Sequence, residues 1–119
     1  MNTALRLAIK KAYASEHTFK VGAVIFKGGQ ILNSSCNKNK TNPIRVPHKS
    51  CINKLHAEMA AIRNCNTEGA SILVIRLDKR DYSLTMAKPC PDCEFFIREA
   101  GIKKIVYSDF DGKLISERV

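Results

Sequence analysis

The apolar positions of the chain change period several times, and each change marks an element. Over residues 3–16, Leu5, Ala8, Ile9 and Ala12 recur at helical spacing with Lys10 and Lys11 off that stripe, which predicts an amphipathic helix. Residues 21–26 form a β-rich apolar run, and Gly28-Gly29 signals a hairpin into a second strand over 30–36. Residues 37–50 are polar, basic and broken by Pro43 and Pro47, so they read as a loop. Leu55, Met59 and Ile62 give a helix over roughly 51–65, and Gly69 lies just past it. Residues 71–77 are almost continuously apolar, as expected of a strand with both faces covered. A polar turn follows at 78–82, with a short return segment over 83–86. Residues 90–100 read as a helix with Pro91 in its first turn and Gly101 at its stop. Residues 105–107 form a strand, Asp111-Gly112 a hairpin turn, and 114–118 a last short strand. The order is helix, hairpin, helix, strand, helix, strand, strand, which predicts an α/β domain: a mixed five-stranded sheet covered by helices and ending in a hairpin.

At 119 residues the chain is sized for one domain over 1–119. With 45% hydrophobic and 26% charged residues it has the composition of a globular protein rather than a disordered one. No apolar run approaches the ~20 residues of a membrane span, and the N-terminal stretch does not read as a secretory signal. The five cysteines, Cys36, Cys51, Cys65, Cys90 and Cys93, are an odd number with one close pair. That favours a reducing, cytoplasmic setting over a disulfide framework. The net charge is +9, and it is uneven: residues 17–57 contain no acid and seven bases, Lys20, Lys27, Lys38, Lys40, Arg45, Lys49 and Lys54. A surplus placed this way suits a phosphate-bearing partner, either one nucleotide phosphate or a nucleic-acid backbone. The alternative is a solvated loop. No aromatic residue for base stacking is visible within 37–50.

Two short segments carry the candidate chemistry: His56-Ala57-Glu58 and Pro89-Cys90-Pro91-Asp92-Cys93. Each opens a predicted helix that follows a sheet element. Cys90 and Cys93, three residues apart, share a helix face near its start, where the helix dipole favours thiolate. Thiolates suit zinc, and His56 supplies a third ligand. Three protein ligands leave the fourth position for water, the arrangement of a catalytic rather than a structural zinc. Glu58 is the matching base. Residues at i and i+2 do not share a helix face, so His56 and Glu58 converge only if the helix begins close to His56.

The pattern H-x-E followed by P-C-x-x-C is that of zinc nucleobase deaminases, and the chain resembles the cytidine/deoxycytidylate deaminase superfamily over almost its whole length. Val21-Gly22-Ala23-Val24 is similar to the family's first strand. Asn37 resembles the Asn that contacts substrate sugar or base, and residues 101–107 are similar to the stretch that closes the domain in deoxycytidylate deaminases. The resemblance implies a three-layer fold and one catalytic zinc held by His56, Cys90 and Cys93. It implies hydrolytic C4 deamination of cytosine to uracil, with Glu58 carrying the water proton to N3 and then to the departing amine. Val21 and Ala23 are expected to wall the base, and Asn37, Ala57, Lys88 and Pro89 to complete the substrate contacts. The expected substrate is a cytosine-containing nucleotide or cytosine in single-stranded nucleic acid, with no membrane partner and with association into homo-oligomers.

The chain combines a His first ligand with a hairpin ending. Free-nucleoside deaminases of the family usually have Cys in that position and an Asn-x-Glu where this chain has Asn37-Lys38-Asn39. Those sharing the His ligand typically place a helix between their last two strands, where only residues 108–113 are available here. The competing readings are an adenine or guanine deaminase with the same metal centre, a non-catalytic nucleic-acid-binding protein on the same fold, and a structural zinc completed by Cys51 or Cys65. A second zinc site from Cys36, His48 and Cys51 is a further alternative.

Overall fold

The computed structural model describes residues 2–15, 20–37, 57–62, 66–89 and 91–119. In chain order the elements are α1 (Asn2–Tyr13), β1 (Lys20–Lys27), β2 (Gln30–Cys36), α2 (Ala57–Ile62), β3 (Ser71–Leu77), β4 (Leu84–Thr85), α3 (Pro91–Glu99), β5 (Lys104–Ser108) and β6 (Leu114–Arg118). The expected loop over 37–50 and the ends of the expected 51–65 helix lie outside the described residues, apart from Asn37.

The strands form one mixed sheet in the order β2-β1-β3-β5-β6. β3 runs parallel to β5, and the other pairs are antiparallel. These are the five strands expected from the sequence. The return segment adds a sixth: β4 pairs with β3 through Arg76↔Thr85 and Leu77↔Leu84, next to the stretch of β3 that pairs with β5. Two residues are too few to show a period, so this strand leaves no alternation in the sequence. The β1–β2 hairpin closes on Gly28 and Gly29, both with positive φ (54° and 81°), as a two-residue primed turn requires. The expected hairpin ending is also present, with Tyr107↔Ile115 and Ser108↔Leu114 in register.

Strand alternation divides the apolar residues into two layers. Ala23, Ile25, Ile72, Val74, Ile105 and Tyr107 face α2 and α3 through Ala57, Ala61 and Ile97. Val24, Leu73, Ile75, Leu77 and Val106 face α1 through Ala4, Ala8 and Ala12. The result is three layers: α1, the sheet, then α2 with α3. β3 is buried on both faces, which accounts for its unbroken apolar run. α3 ends on Gly101 (φ 77°), whose N–H donates to the Arg98 carbonyl at 3.1 Å. The Ile102 N–H reaches back to the Ile97 carbonyl at 3.3 Å, so helix termination follows the glycine stop signal of the sequence. No helix among the described residues is long and apolar enough to cross a membrane.

The apolar stripe of α1 consists largely of alanine because the helix lies directly on β1. A Cβ added at Gly22 would stand 2.0 Å from the Ala8 carbonyl oxygen and 3.0 Å from the Ala12 backbone nitrogen. Those neighbours are backbone, so no side-chain rotation can make room. Gly22→Ala is therefore expected to push α1 off the sheet and destabilise the fold by roughly 3 kcal/mol. Urea unfolding measures this, and a loss below about 1 kcal/mol would show that α1 yields without cost.

Candidate active site

α3 opens with Pro91, whose missing N–H costs nothing in the first turn of a helix. Cys93 is the third helical residue and is fully buried. It lies four positions before Ile97, on the same helical face, and Ile97 packs in the layer that also holds Ala57 and Ala61 of α2. α2 and α3 are in contact. A buried thiol in the first turn of α3 thus lies on the helical face of Ile97, which packs in the layer shared with α2. Among the described residues, neither Cys36 nor Cys93 is in a disulfide.

Two expected zinc ligands, His56 and Cys90, lie outside the described residues, as does the side chain of Glu58. In sequence His56 immediately precedes Ala57, the first described residue of α2, and Cys90 immediately precedes Pro91, the first of α3. The requirement that α2 begin close to His56 falls on residues 51–56, outside the described residues. Among the described residues no three His, Cys, Asp or Glu side chains gather into a metal-holding group. Of the alternative zinc sets, Cys36 is half-buried at the end of β2, while His48, Cys51 and Cys65 lie outside the described residues. The donor set is compatible with zinc: one buried thiol at a helix start, with a second thiol and an imidazole adjacent in sequence to the starts of two touching helices.

The segment leading into α3 is held in place. The Ala87 N–H donates to the Ser108 carbonyl at 2.9 Å, and the buried Ser108 hydroxyl donates to the Thr85 carbonyl at 2.6 Å. Pro89 is buried and Lys88 is exposed. The Lys88 ammonium stands 3.9 Å from a Glu117 carboxylate oxygen, and the other oxygen of Glu117 accepts from the Tyr107 hydroxyl at 3.0 Å. Burial first, then the hydrogen bond and charge of Glu117, raises the Tyr107 phenol above its ordinary value. Val21 and Ala23, expected to wall the base, and Ala57 of α2, expected to contact substrate, pack in one layer on the face of the sheet that carries α2 and α3.

Asn37 lies at the end of β2 with only 8% of its surface exposed. Its side-chain oxygen accepts from the Ser15 hydroxyl at 2.7 Å and from the Val21 N–H at 3.0 Å. The same Ser15 hydroxyl lies 2.9 Å from the Asn37 carbonyl. Asn37 therefore joins the end of α1, the start of β1 and the end of β2. Sequence reading had no signal for Ser15, a small polar residue past a helix end whose partner lies far along the chain.

The comparisons with known proteins bear on this arrangement. Residues 1–109 match the family described as the cytidine and deoxycytidylate deaminase zinc-binding region. The chain belongs to the cytidine and deoxycytidylate deaminase family. It is accordingly a deaminase, a hydrolase by class. No curated protein sequence matches it. Among solved structures, the dCMP deaminase of cyanophage S-TIM5 in its apo form is similar at a TM-score of 0.66 and 24% identity, over 92% of this chain and 82% of that one. The same phage protein has been solved in complex with dCMP and dUMP (TM-score 0.57, 23% identity, covering 92% of this chain and 77% of that one). The cytidine deaminase of Burkholderia pseudomallei is similar at a TM-score of 0.70 and 18% identity, over 98% and 91%. These likenesses establish the cytidine deaminase fold.

Asn37→Ala removes the acceptor shared by Ser15 and Val21 and is expected to cost about 2 kcal/mol of stability. Asn37→Asp keeps that acceptor and is expected to retain most of it. Equal urea midpoints for Asn37→Ala and the unmodified chain would show that the junction contributes nothing to the fold.

Proposed function

We propose that this deaminase acts on cytosine, converting it to uracil at C4 with release of ammonia, in a nucleotide or in single-stranded nucleic acid. The observation that supports the reading best is Cys93: a fully buried thiol in the first turn of α3, on the helical face of Ile97, which packs in the layer shared with α2. His56, Cys90 and Cys93 would hold one zinc ion, which when bound would supply a water made acidic, its pKa lowered from near 16 to about 7. Glu58 would accept a proton from the attacking water, deliver it to N3 of the base, and assist protonation of the departing amine. Val21, Ala23 and the His56 ring wall the flat base, and Asn37, Ala57, Lys88 and Pro89 border the substrate. Residues 1–119 act as one domain that associates into homo-oligomers.

The surplus of base, together with the absence of a carboxylate within Asn37-Lys38-Asn39, favours a substrate that carries phosphate over a free nucleoside. The likeness to a phage enzyme solved with dCMP and dUMP supports the nucleotide branch. Incubation with deoxycytidine, its monophosphate and a single-stranded oligonucleotide, followed by uracil analysis, tests the reading. Uracil is expected from one or both phosphate-bearing substrates. Failure of all three rejects the cytosine assignment.

Glu58→Ala is expected to abolish turnover while zinc content, measured by elemental analysis, stays at one ion per chain. Residual activity above a few per cent would remove Glu58 from the role of proton carrier.

A further inference from the structure

Tyr13 at the end of α1 and Tyr82 in the turn between β3 and β4 lie in ring contact, with centroids 5.0 Å apart and planes at 46°. Both remain largely exposed, at 53% and 45%. The β3–β4 turn is closed by the Asp78 N–H donating to the Ser83 carbonyl (2.8 Å) and the Tyr82 N–H donating to the Asp78 carbonyl (2.7 Å). Tyr82 takes a φ of +58°, a left-handed conformation that glycine adopts freely and tyrosine only under strain. An exposed aromatic ring is thus held at a position where the backbone favours glycine.

The turn carries two bases and two acids, Lys79 and Arg80 against Asp78 and Asp81, so the positive surplus beside the pair comes from α1. Lys10 lies one helical turn before Tyr13, on the same face of α1, and is exposed. Lys79, also exposed, belongs to the turn that carries Tyr82. The Arg80 guanidinium hydrogen-bonds both oxygens of Asp78 (3.2 and 3.0 Å) and holds that carboxyl down at about 2, so these two charges offset each other. The Asp81 carboxylate accepts from the N–H and hydroxyl of Ser83. α1 carries no acid at all, and residues 1–57 contain ten Lys and Arg against one acid, Glu16. Register places the turn at the end of the sheet where β1 starts and β2 and β3 finish, through Lys20↔Leu77 and Gly22↔Cys36. From that same end the chain continues through β4 to α3 and Cys93, on the opposite face of the sheet from α1.

We propose that Tyr13 and Tyr82, flanked by Lys10 and Lys79, form a stacking subsite for single-stranded nucleic acid. Base faces stack on exposed aromatic rings whatever the sequence, while nearby cations neutralise phosphates. The pair supplies the stacking element that residues 37–50 lack, and α1, which carries Tyr13, lies on the opposite face of the sheet from α3. The inference deepens the polynucleotide branch of the function proposed above and rests on it, but it is tested without cytosine.

The full chain is titrated with a short oligothymidine, which offers bases and phosphates but no substrate amine. Tyr13 and Tyr82 are two of three tyrosines, the third (Tyr107) is buried, and tryptophan is absent, so intrinsic fluorescence reads the pair directly. Binding is expected to quench that fluorescence. Tyr82→Gly relieves the strained φ while removing the ring, so the fold survives, and it is expected to weaken binding by about 5- to 100-fold. Tyr13→Phe keeps the ring and is expected to bind as the unmodified chain does. Lys10→Ala and Lys79→Ala should each reduce the slope of log K against log salt by about one. Tyr82→Gly binding as tightly as the unmodified chain, or no quenching at all, overturns the subsite. Turnover of deoxycytidylate without oligothymidine binding rejects this inference and leaves the deaminase reading intact. Binding with no cytosine substrate converted supports the subsite and rejects the cytosine assignment.

Discussion

Two strands lying parallel in one sheet cannot be joined by a tight turn; the chain must cross over a face of the sheet, usually as a helix. β3 and β5 are such a pair, and α3 is the helix that joins them. The crossover carries Cys93 to the start of a helix on the face where α2 also lies. Hydrogen bonds from Ala87 and Ser108 tie the preceding segment to the end of β5, so the first turn of α3 is fixed to the sheet at that point. On the other face α1 fits close to β1, with Gly22 beneath the Ala8 carbonyl. Chemistry requiring thiols at a helix start therefore belongs on the α2–α3 side, where the topology supplies a helix start over the sheet.

Much of this was legible in the sequence because it is written in local patterns. Residues 30–36, 71–77 and 114–118 become strands with the bounds that their apolar runs and turn signals predict. Gly101 ends α3 as a glycine stop should. The helix expected over 3–16 stops at Tyr13: the Ser15 N–H bonds the Ala12 carbonyl, three residues back, instead of extending the four-residue ladder, and its hydroxyl bonds Asn37. The return segment expected over 83–86 becomes β4, only two residues long and so too short to show alternation. Of the candidate site, the C-x-x-C spacing that singles out Cys93 was legible as a local signal. The structural partners of Asn37 were not, since Ser15 and Val21 meet it only through tertiary contact. The Tyr13–Tyr82 contact likewise joins residues from two distant turns of the chain, and neither tyrosine alone marks a stacking surface.

The charge distribution gains physical detail from the structure. Of the seven bases in the acid-free stretch, Lys20 donates to the Ser15 carbonyl and Lys27 reaches the Glu68 carbonyl at 3.4 Å. Lys20 thereby closes the junction where α1 passes into β1, and its ammonium has a structural task. The other five bases, Lys38, Lys40, Arg45, Lys49 and Lys54, lie outside the described residues. They fall between Asn37 and His56 in sequence, on the stretch that leads to the candidate metal ligand.

Lys88 illustrates how a weak interaction can leave a group available for function. Its ammonium is 3.9 Å from Glu117, and both side chains are roughly half exposed. An ion pair of that length and exposure contributes at most ~1 kcal/mol. Glu117 has a second partner in the Tyr107 hydroxyl at 3.0 Å, so it keeps a hydrogen bond whether or not Lys88 stays beside it. The Lys88 ammonium can therefore turn away from Glu117 without leaving that carboxylate unpaired, which is what the proposed phosphate contact requires. The hairpin ending makes this possible: β6 returns alongside β5 and brings Glu117 opposite Ile105, within reach of both Tyr107 and Lys88. The closing strand thus does more than cover a sheet edge, since it sets how tightly Lys88 is held beside the metal motif.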